Sequence, residues 1–290
     1  MEKNHLEEQL AIFSEGREMY NLEGTYWEFN YETEVLVPTT RNIDSLYFYL
    51  QAVTGIGPKR ETKLKSEGIC SLQDLVSHNN LLSNDAPFLL KALADRDWPI
   101  IYKRFPRFSV LGSIPQNKIA VLDIETTGFG FGKPIFLIGL LLLKPKCQLK
   151  LFLARHPAEE AAMLQAVATE LEDKIAVITY NGASFDLPAL YRRAERYDLN
   201  FPSILNMDLL PVVRRLLGSE LPNCRLKTIE KIILEYERHS DPASSEVPEI
   251  YHQFLMEQDP KLLDEVISHN ARDLESLVEI WQYLDERERR

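Results

Sequence analysis

The chain has 290 residues, 45% hydrophobic and 27% charged, with 12 Gly, 16 Pro and 3 Cys; that is long enough to bury a substantial core, and it excludes collagen-like, low-complexity and wholly disordered classes. The net charge of −11, taken as an average, argues against a polyanionic partner, whose counterions only Lys and Arg can replace. The average hides a division, because residues 51–110 carry 9 basic against 6 acidic side chains while residues 1–50 carry 3 against 10.

In chain order, residues 1–42 form an acidic N-terminal segment with a helical start. Within it an alternating aromatic stretch, Tyr26 to Val37, predicts a short hairpin closed by Pro38-Thr-Thr. The N-terminus lacks a basic region followed by an apolar one. The longest apolar run, Ile135 to Leu143, is well short of the roughly 18 residues that cross a bilayer. The expectation is a cytoplasmic protein with no membrane partner. Cys70, Cys147 and Cys224 have no C-x-x-C spacing and read as ordinary thiols.

Residues 43–112 predict a small all-helical module. Helices over Ile43–Ala52 and Pro58–Glu67 flank a Gly55-Ile56-Gly57 turn, and Ser71-x-x-Asp74 is a capping-box-like start for the next helix. From 113 to 290 strand and helix patterns alternate. Strands are expected at Ile119–Ile124, Ile135–Leu143, Leu149–Leu153, Ile175–Thr179 and Ser203–Met207, and helices at Pro157–Leu171, Leu187–Tyr197 and Leu209–Leu217. The fold class is therefore α/β, a mixed sheet flanked by helices. Beyond Thr228 the chain reads as helical, with Asp259-Pro260 starting a helix that ends near His269.

Three segments carry chemistry. In Leu122-Asp123-Ile124-Glu125-Thr126-Thr127-Gly128 the strand alternation puts Asp123 and Glu125 on one face, and paired hard oxygens suit Mg²⁺ or Mn²⁺. Asn181-Gly-Ala-Ser-Phe185-Asp186 follows a second apolar strand. In His269-Asn270-Ala271-Arg272-Asp273 the i, i+4 spacing puts His269 and Asp273 on one helix face. Taken alone, the first reads as a solvated strand end, the second as an N-cap and the third as a polar helix face.

Together and in this order they resemble the three motifs of the DEDD superfamily, the DnaQ-like exonucleases of ribonuclease H-like fold. The resemblance implies that Asp123, Glu125, Asp186 and Asp273 are metal ligands and catalytic. They would hold two Mg²⁺ or Mn²⁺ ions for 3′→5′ hydrolysis of nucleic acid, single-stranded DNA before RNA. It also implies that Thr126, Thr127, Asn181 and Phe185 lie along the nucleotide. One position departs from the pattern: His269 stands four residues before the last Asp, where the family carries Tyr, or else His five before. The expectation is that His269 assists the attacking water.

The segment Val53 to Ile69 resembles a helix-hairpin-helix, whose Gly-x-Gly turn offers backbone N–H groups to a phosphate. Gly55, Gly57, Lys59, Arg60 and Lys63 would then touch the DNA backbone without reading sequence. A helix-hairpin-helix ahead of a DnaQ-like domain, with Asn223 to Glu230 and Val247 to Tyr251 before the third motif, is similar to the bacterial YprB-type family. Two other readings stay open: a catalytically weak nucleic-acid-binding protein of the same fold, and a structure-selective endonuclease.

Overall fold

The computed structural model describes residues 16–78, 85–128, 130, 132–143, 146–238 and 241–288. These divide into two compact units, one running to Pro38 and again from Asn117 onward, the other Thr39–Gln116. The expected helical start within residues 1–15 lies outside the described residues.

The larger unit is built on seven strands: β1 (Arg17–Asn21), β2 (Gly24–Thr33), β3 (Ile119–Thr126), β4 (Ile135–Leu142), β5 (Cys147–Leu153), β6 (Ala176–Thr179) and β7 (Leu205–Asp208). They form one mixed sheet in the order β1-β2-β5-β4-β3-β6-β7. β3, β4 and β5 make an antiparallel meander, and β6 and β7 add parallel to β3. Parallel neighbours need crossovers; α6 (Glu160–Leu171) lies between β5 and β6 in the chain, and α7 (Asp186–Arg196) between β6 and β7. β4 is buried along its whole length, the condition of a central strand covered on both faces. On one face Ala120, Leu122 and Ile124 of β3 and Ile138, Leu140 and Leu142 of β4 pack with Met163 and Val167 of α6 and Leu187 and Leu190 of α7. The other face is crossed by α11 (Lys261–Glu288), which packs on β3 and β4. Among the described residues the unit also contains the helices α8 (Leu209–Leu217), α9 (Leu226–Ile232) and α10 (Val247–Glu257).

The structure corrects three expectations. The hairpin precedes its predicted place, turning at Leu22-Glu23. It is no separate segment, because β2 is paired from Trp27 to Thr33 with β5, from Leu153 back to Cys147. Tyr26 and Phe29, on opposite faces of β2, are both buried, so the strand contributes apolar surface to both sides of the sheet. The last helix does not end near His269. It continues to Glu288 because Leu263, Val266, Ile267, Ala271, Leu274, Leu277, Val278, Trp281 and Leu284, spaced by three and four, are all buried. Residues 43–52 form two 3₁₀ pieces, Ile43–Phe48 and Leu50–Ala52, rather than an α-helix.

The second unit contains α1 (Pro58–Ser66), α2 (Leu72–Ser77), α3 (Asp85–Asp95), α4 (Trp98–Arg104) and α5 (Arg107–Ser113). The Ser71/Asp74 capping box is formed. Gly55 adopts φ +86°, a left-handed conformation that favours glycine, and Pro58 opens α1. Arg104 clamps the turn before it. Its Nε and Nη2 donate to the Ala52 carbonyl at 3.1 and 2.7 Å, and Asp85, paired with Arg104, accepts from the Thr54 N–H at 2.9 Å. That pairing holds the Asp85 carboxyl down at about 2. Gly55, Gly57, Lys59, Arg60 and Lys63 are all exposed, while Leu64 is buried against the unit's core.

Candidate active site

Strand alternation fixes the first two carboxylates. With Leu122 and Ile124 committed to the α6/α7 face, Asp123 and Glu125 stand on the face that α11 covers. A register shift between Glu125 and Thr126 interrupts the β3–β4 ladder just beyond them, a kind of irregularity common beside functional sites. β6 pairs with β3 only as far as Ile178 and Val121. Past that point the Asp186 carboxyl, 5% exposed in the first turn of α7, accepts the Ile124 backbone N–H. Asp186 is thereby drawn to the carboxyl ends of parallel strands, where open α/β sheets build their sites.

The turn leading to Asp186 is tied from below. Asn181 has φ +65°, and Asp208 accepts from Asn181 N at 2.8 Å and Ala183 N at 3.1 Å while capping α8 through Leu210 N at 3.0 Å. Gly182 permits the close approach: a Cβ there would lie 2.4 Å from the Thr179 side chain.

α11 supplies the third element. Asn270 Nδ2 donates to Asp123 Oδ2 at 2.7 Å. The Asn270 side chain fits only because β4 carries Gly139 opposite Asp123; a Cβ at 139 would be 2.1 Å from Asn270 Oδ1 and 2.6 Å from Leu274 Cδ1. One residue earlier, His269 directs Nε2 at Glu125 Oε1 (3.8 Å) and Asp273 Oδ2 (3.9 Å), and Nδ1 at Asp241 Oδ1 (2.7 Å). Arg238 Nη1 also lies 3.2 Å from Nδ1. A ring nitrogen cannot donate to one and accept from the other at once, and the shorter contact, to a carboxylate, defines Nδ1 as the donor. Nε2 is then the nitrogen offered to the carboxylates.

Arg238 is the site's buried cation, its side chain 6% exposed. Nε and Nη2 engage Glu230 at 2.8 and 2.5 Å, and Nη2 donates to Asp273 Oδ1 at 2.5 Å. Glu230, 1% exposed, also accepts from Ser276 Oγ of α11.

The electrostatics follow from this crowding. Burial, then repulsion from Asp273, Asp186 and Glu125, raises Asp123 well above the usual carboxylate range. Glu125 is pushed up to about 8 by burial and by Asp273 and Asp186, against the pull of His269. Burial also raises Asp186 to about 7, against its two backbone hydrogen bonds. Burial opposes the imidazolium of His269, yet the Asp241 hydrogen bond and the charges of Asp273 and Glu125 raise its pKa. Burial works against the Asp241 carboxylate as well, but the His269 hydrogen bond, Lys227 and Arg238 hold it far below its ordinary value.

Thus Asp123, Glu125, Asp186, His269 and Asp273, far apart in sequence, are brought to one place. Thr126 is buried and spends its hydroxyl on the Gly128 carbonyl at 2.9 Å; Phe185 packs against the sheet core, and Asn181 is exposed. Thr127 is half-buried, its N–H bonded to the Pro134 carbonyl at 2.9 Å. The sequence reading missed Arg238, Asp241 and Glu230 as site residues, and missed Asn270 although it lies between two motif positions. Among the described residues no three His, Cys, Asp or Glu side chains already stand as the ligands of one ion, with Asp123 Oδ2 and Asp273 Oδ1 turned to Asn270 and Arg238. The donor set itself fits a hard divalent cation: four carboxylates, Asp186 buried and Asp123, Glu125 and Asp273 half-buried, whose mutual repulsion such an ion would relieve.

The fold and this site define an RNase H-like α/β protein. The family model of the RNase H superfamily matches residues 120–285, and the chain belongs to that superfamily. It is 31% identical over 178 residues to a Bacillus subtilis (strain 168) protein named "Uncharacterized protein YprB", an alignment covering 59% of this chain and 43% of that relative's length. Among solved structures it is similar to the family B DNA polymerase from the hyperthermophilic archaeon Pyrobaculum calidifontis, with 15% identity and a TM-score of 0.44, over 56% of this chain and 24% of the polymerase. Among the described residues no helix is long and apolar enough to cross a membrane.

Proposed function

We propose that the chain is a metal-dependent nuclease of the DnaQ-like, DEDD type, a 3′→5′ exonuclease acting on single-stranded DNA. The observation that carries this is the gathering of Asp123, Glu125, Asp186 and Asp273 at the carboxyl ends of β3 and β6, with the Nε2 of His269 turned toward Glu125 and Asp273. Asp123, Glu125, Asp186 and Asp273 would hold two Mg²⁺ or Mn²⁺ ions, which supply Lewis-acid stabilisation of the scissile phosphate and of the leaving 3′ oxygen. His269, held by Asp241 through Nδ1, offers Nε2 to the proton of the attacking water. Asn270 fixes the orientation of Asp123. Thr126, Thr127, Asn181 and Phe185 follow the terminal nucleotide in this reading.

In the second unit the Gly55-Ile56-Gly57 turn and the exposed cations Lys59, Arg60 and Lys63 would act as a helix-hairpin-helix that holds the phosphate backbone. The turn's clamp by Arg104 and Asp85 supports this, since a preformed backbone cradle binds with less loss of freedom.

The test uses 5′-labelled single-stranded DNA and RNA of equal sequence with Mg²⁺, Mn²⁺ or EDTA. A metal-dependent ladder shortening from the 3′ end, absent in Asp123→Ala/Asp186→Ala, is the expected result. Internal cuts would replace it with an endonuclease. Salt-sensitive binding without cleavage would leave a binding protein of the same fold.

A further inference from the structure

Arg238 lies outside all three motifs, yet its guanidinium is buried and held by several partners. Glu230 grips it through both Nε and Nη2, and the Glu230 carboxylate is itself held by Ser276 Oγ. This two-point contact sets the guanidinium plane. The remaining hydrogen of Nη2 is thereby aimed at Asp273 Oδ1, 2.5 Å away. Asp273 Oδ2 faces His269 Nε2 at 3.9 Å. One of the two Asp273 oxygens is therefore already committed.

A buried group of carboxylates must be neutralised by protons, by a fixed cation or by a metal ion. Protons and metal ions come and go, but a guanidinium does not lose its charge in a protein. We propose that Arg238 is the resident counter-cation of the carboxylate site: it holds Asp273 in the ion-free protein and competes with a divalent cation for that ligand. The inference rests on the metal-dependent reading above and adds how the site's ion affinity is set. A divalent ion arriving beside Asp273 meets a fixed positive charge and an oxygen already bonded, so Arg238 weakens ion binding while keeping the empty site folded. If Arg238 instead only positioned Asp273 as a ligand, its removal would weaken ion binding, the opposite sign.

The experiment is titration of Mn²⁺ into the full chain, followed calorimetrically or by the EPR signal of free Mn²⁺, without substrate. Wild type is compared with Arg238→Lys, Arg238→Gln and the double variant Arg238→Gln/Glu230→Gln, in which the buried partner is neutralised too, so that no lone buried charge is left. The expected result is Mn²⁺ affinity about tenfold or more higher in Arg238→Gln. The double variant should shift the same way by less, and Arg238→Lys, which keeps the charge, little. The ion-free Arg238→Gln protein should melt below wild type and recover more on saturation with Mn²⁺. Unchanged or weaker Mn²⁺ affinity in whichever of the two glutamine variants folds overturns the inference while leaving the nuclease reading intact. If neither wild type nor variants bind Mn²⁺, both fall together.

Discussion

The carboxylate site of the larger unit and the glycine turn of the smaller one gather charge in opposite ways. In the turn, Lys59, Arg60 and Lys63 follow Gly57 directly, point outward and are exposed; local sequence suffices to place them, and water screens them. In the site, carboxylates from β3, α7 and α11 are brought together largely out of water, where burial, and to a lesser degree mutual repulsion, lifts Asp123, Glu125 and Asp186 above their ordinary range. The first arrangement attracts a polyanion at little internal cost. The second is a strained arrangement that a divalent cation would complete, with Arg238 holding part of the charge in the meantime.

The comparison breaks most directly by removing the strain. Asp123→Asn/Asp186→Asn should lower the rate of nucleic-acid hydrolysis by about 10³-fold or more and raise, not lower, the melting temperature in EDTA, because two repelling buried charges are gone. A melting temperature that drops would show that these carboxylates hold the fold together rather than strain it.

Next in size is Gly139→Ala. The added methyl meets Asn270 Oδ1 and Leu274 Cδ1, and overpacking of this kind costs about 1–3 kcal/mol. Denaturant unfolding should show that loss, together with lowered activity from displacement of Asn270 off Asp123. A change near zero would mean that α11 yields freely.

The pH dependence sharpens the contrast. Glu125 rises from an ordinary 4.5 to about 8 on folding, so the folded protein binds more protons than the unfolded chain across that window, and stability falls as pH rises through it. His269, raised from 6.5 by Asp241, Asp273 and Glu125, contributes stability that is present below 6.5 and is lost as pH climbs through its folded value. Both act in the same direction. Melting temperatures in EDTA should therefore decline from pH 5 to pH 8, and Mn²⁺ should flatten the decline. A flat profile in EDTA would contradict the crowding of the site.

The smallest effects belong to the exposed turn. Ala in place of Lys59, Arg60 and Lys63 should leave the fold unaltered by circular dichroism and lower affinity for single-stranded DNA. The slope of log K against log salt should shrink by about 0.7 for each phosphate that is no longer neutralised. An unchanged slope would place the DNA elsewhere.

Much of this was legible in the chain. Asp123 and Glu125 end an apolar strand two residues apart, and His269 and Asp273 sit one helical turn apart, so period alone put each pair on a common face. Arg238 and Asp241 were not legible, because they lie in the connection between α9 and α10 where no periodicity marks a direction. Asn270 was missed for another reason: adjacency to His269 says nothing of where an amide points until β4 presents Gly139 beneath it. The hairpin was read as an appendage because its partner β5 lies more than a hundred residues on, and pairing over that separation leaves no local trace.

The sequence by itself determined the alternation of strands and helices, the faces on which the acidic pairs stand and the basic character of the turn, since these depend on neighbours within a few positions along the chain. Only the tertiary structure decided that β1 and β2 extend the RNase H-like sheet and that α11 runs on past the site. It also decided that Asp186 accepts from the backbone of β3, and that Arg238, Asp241 and Asn270 hold the carboxylates and the imidazole. Those outcomes rest on burial and charge pairing between segments far apart in the chain, which are settled when the whole core closes.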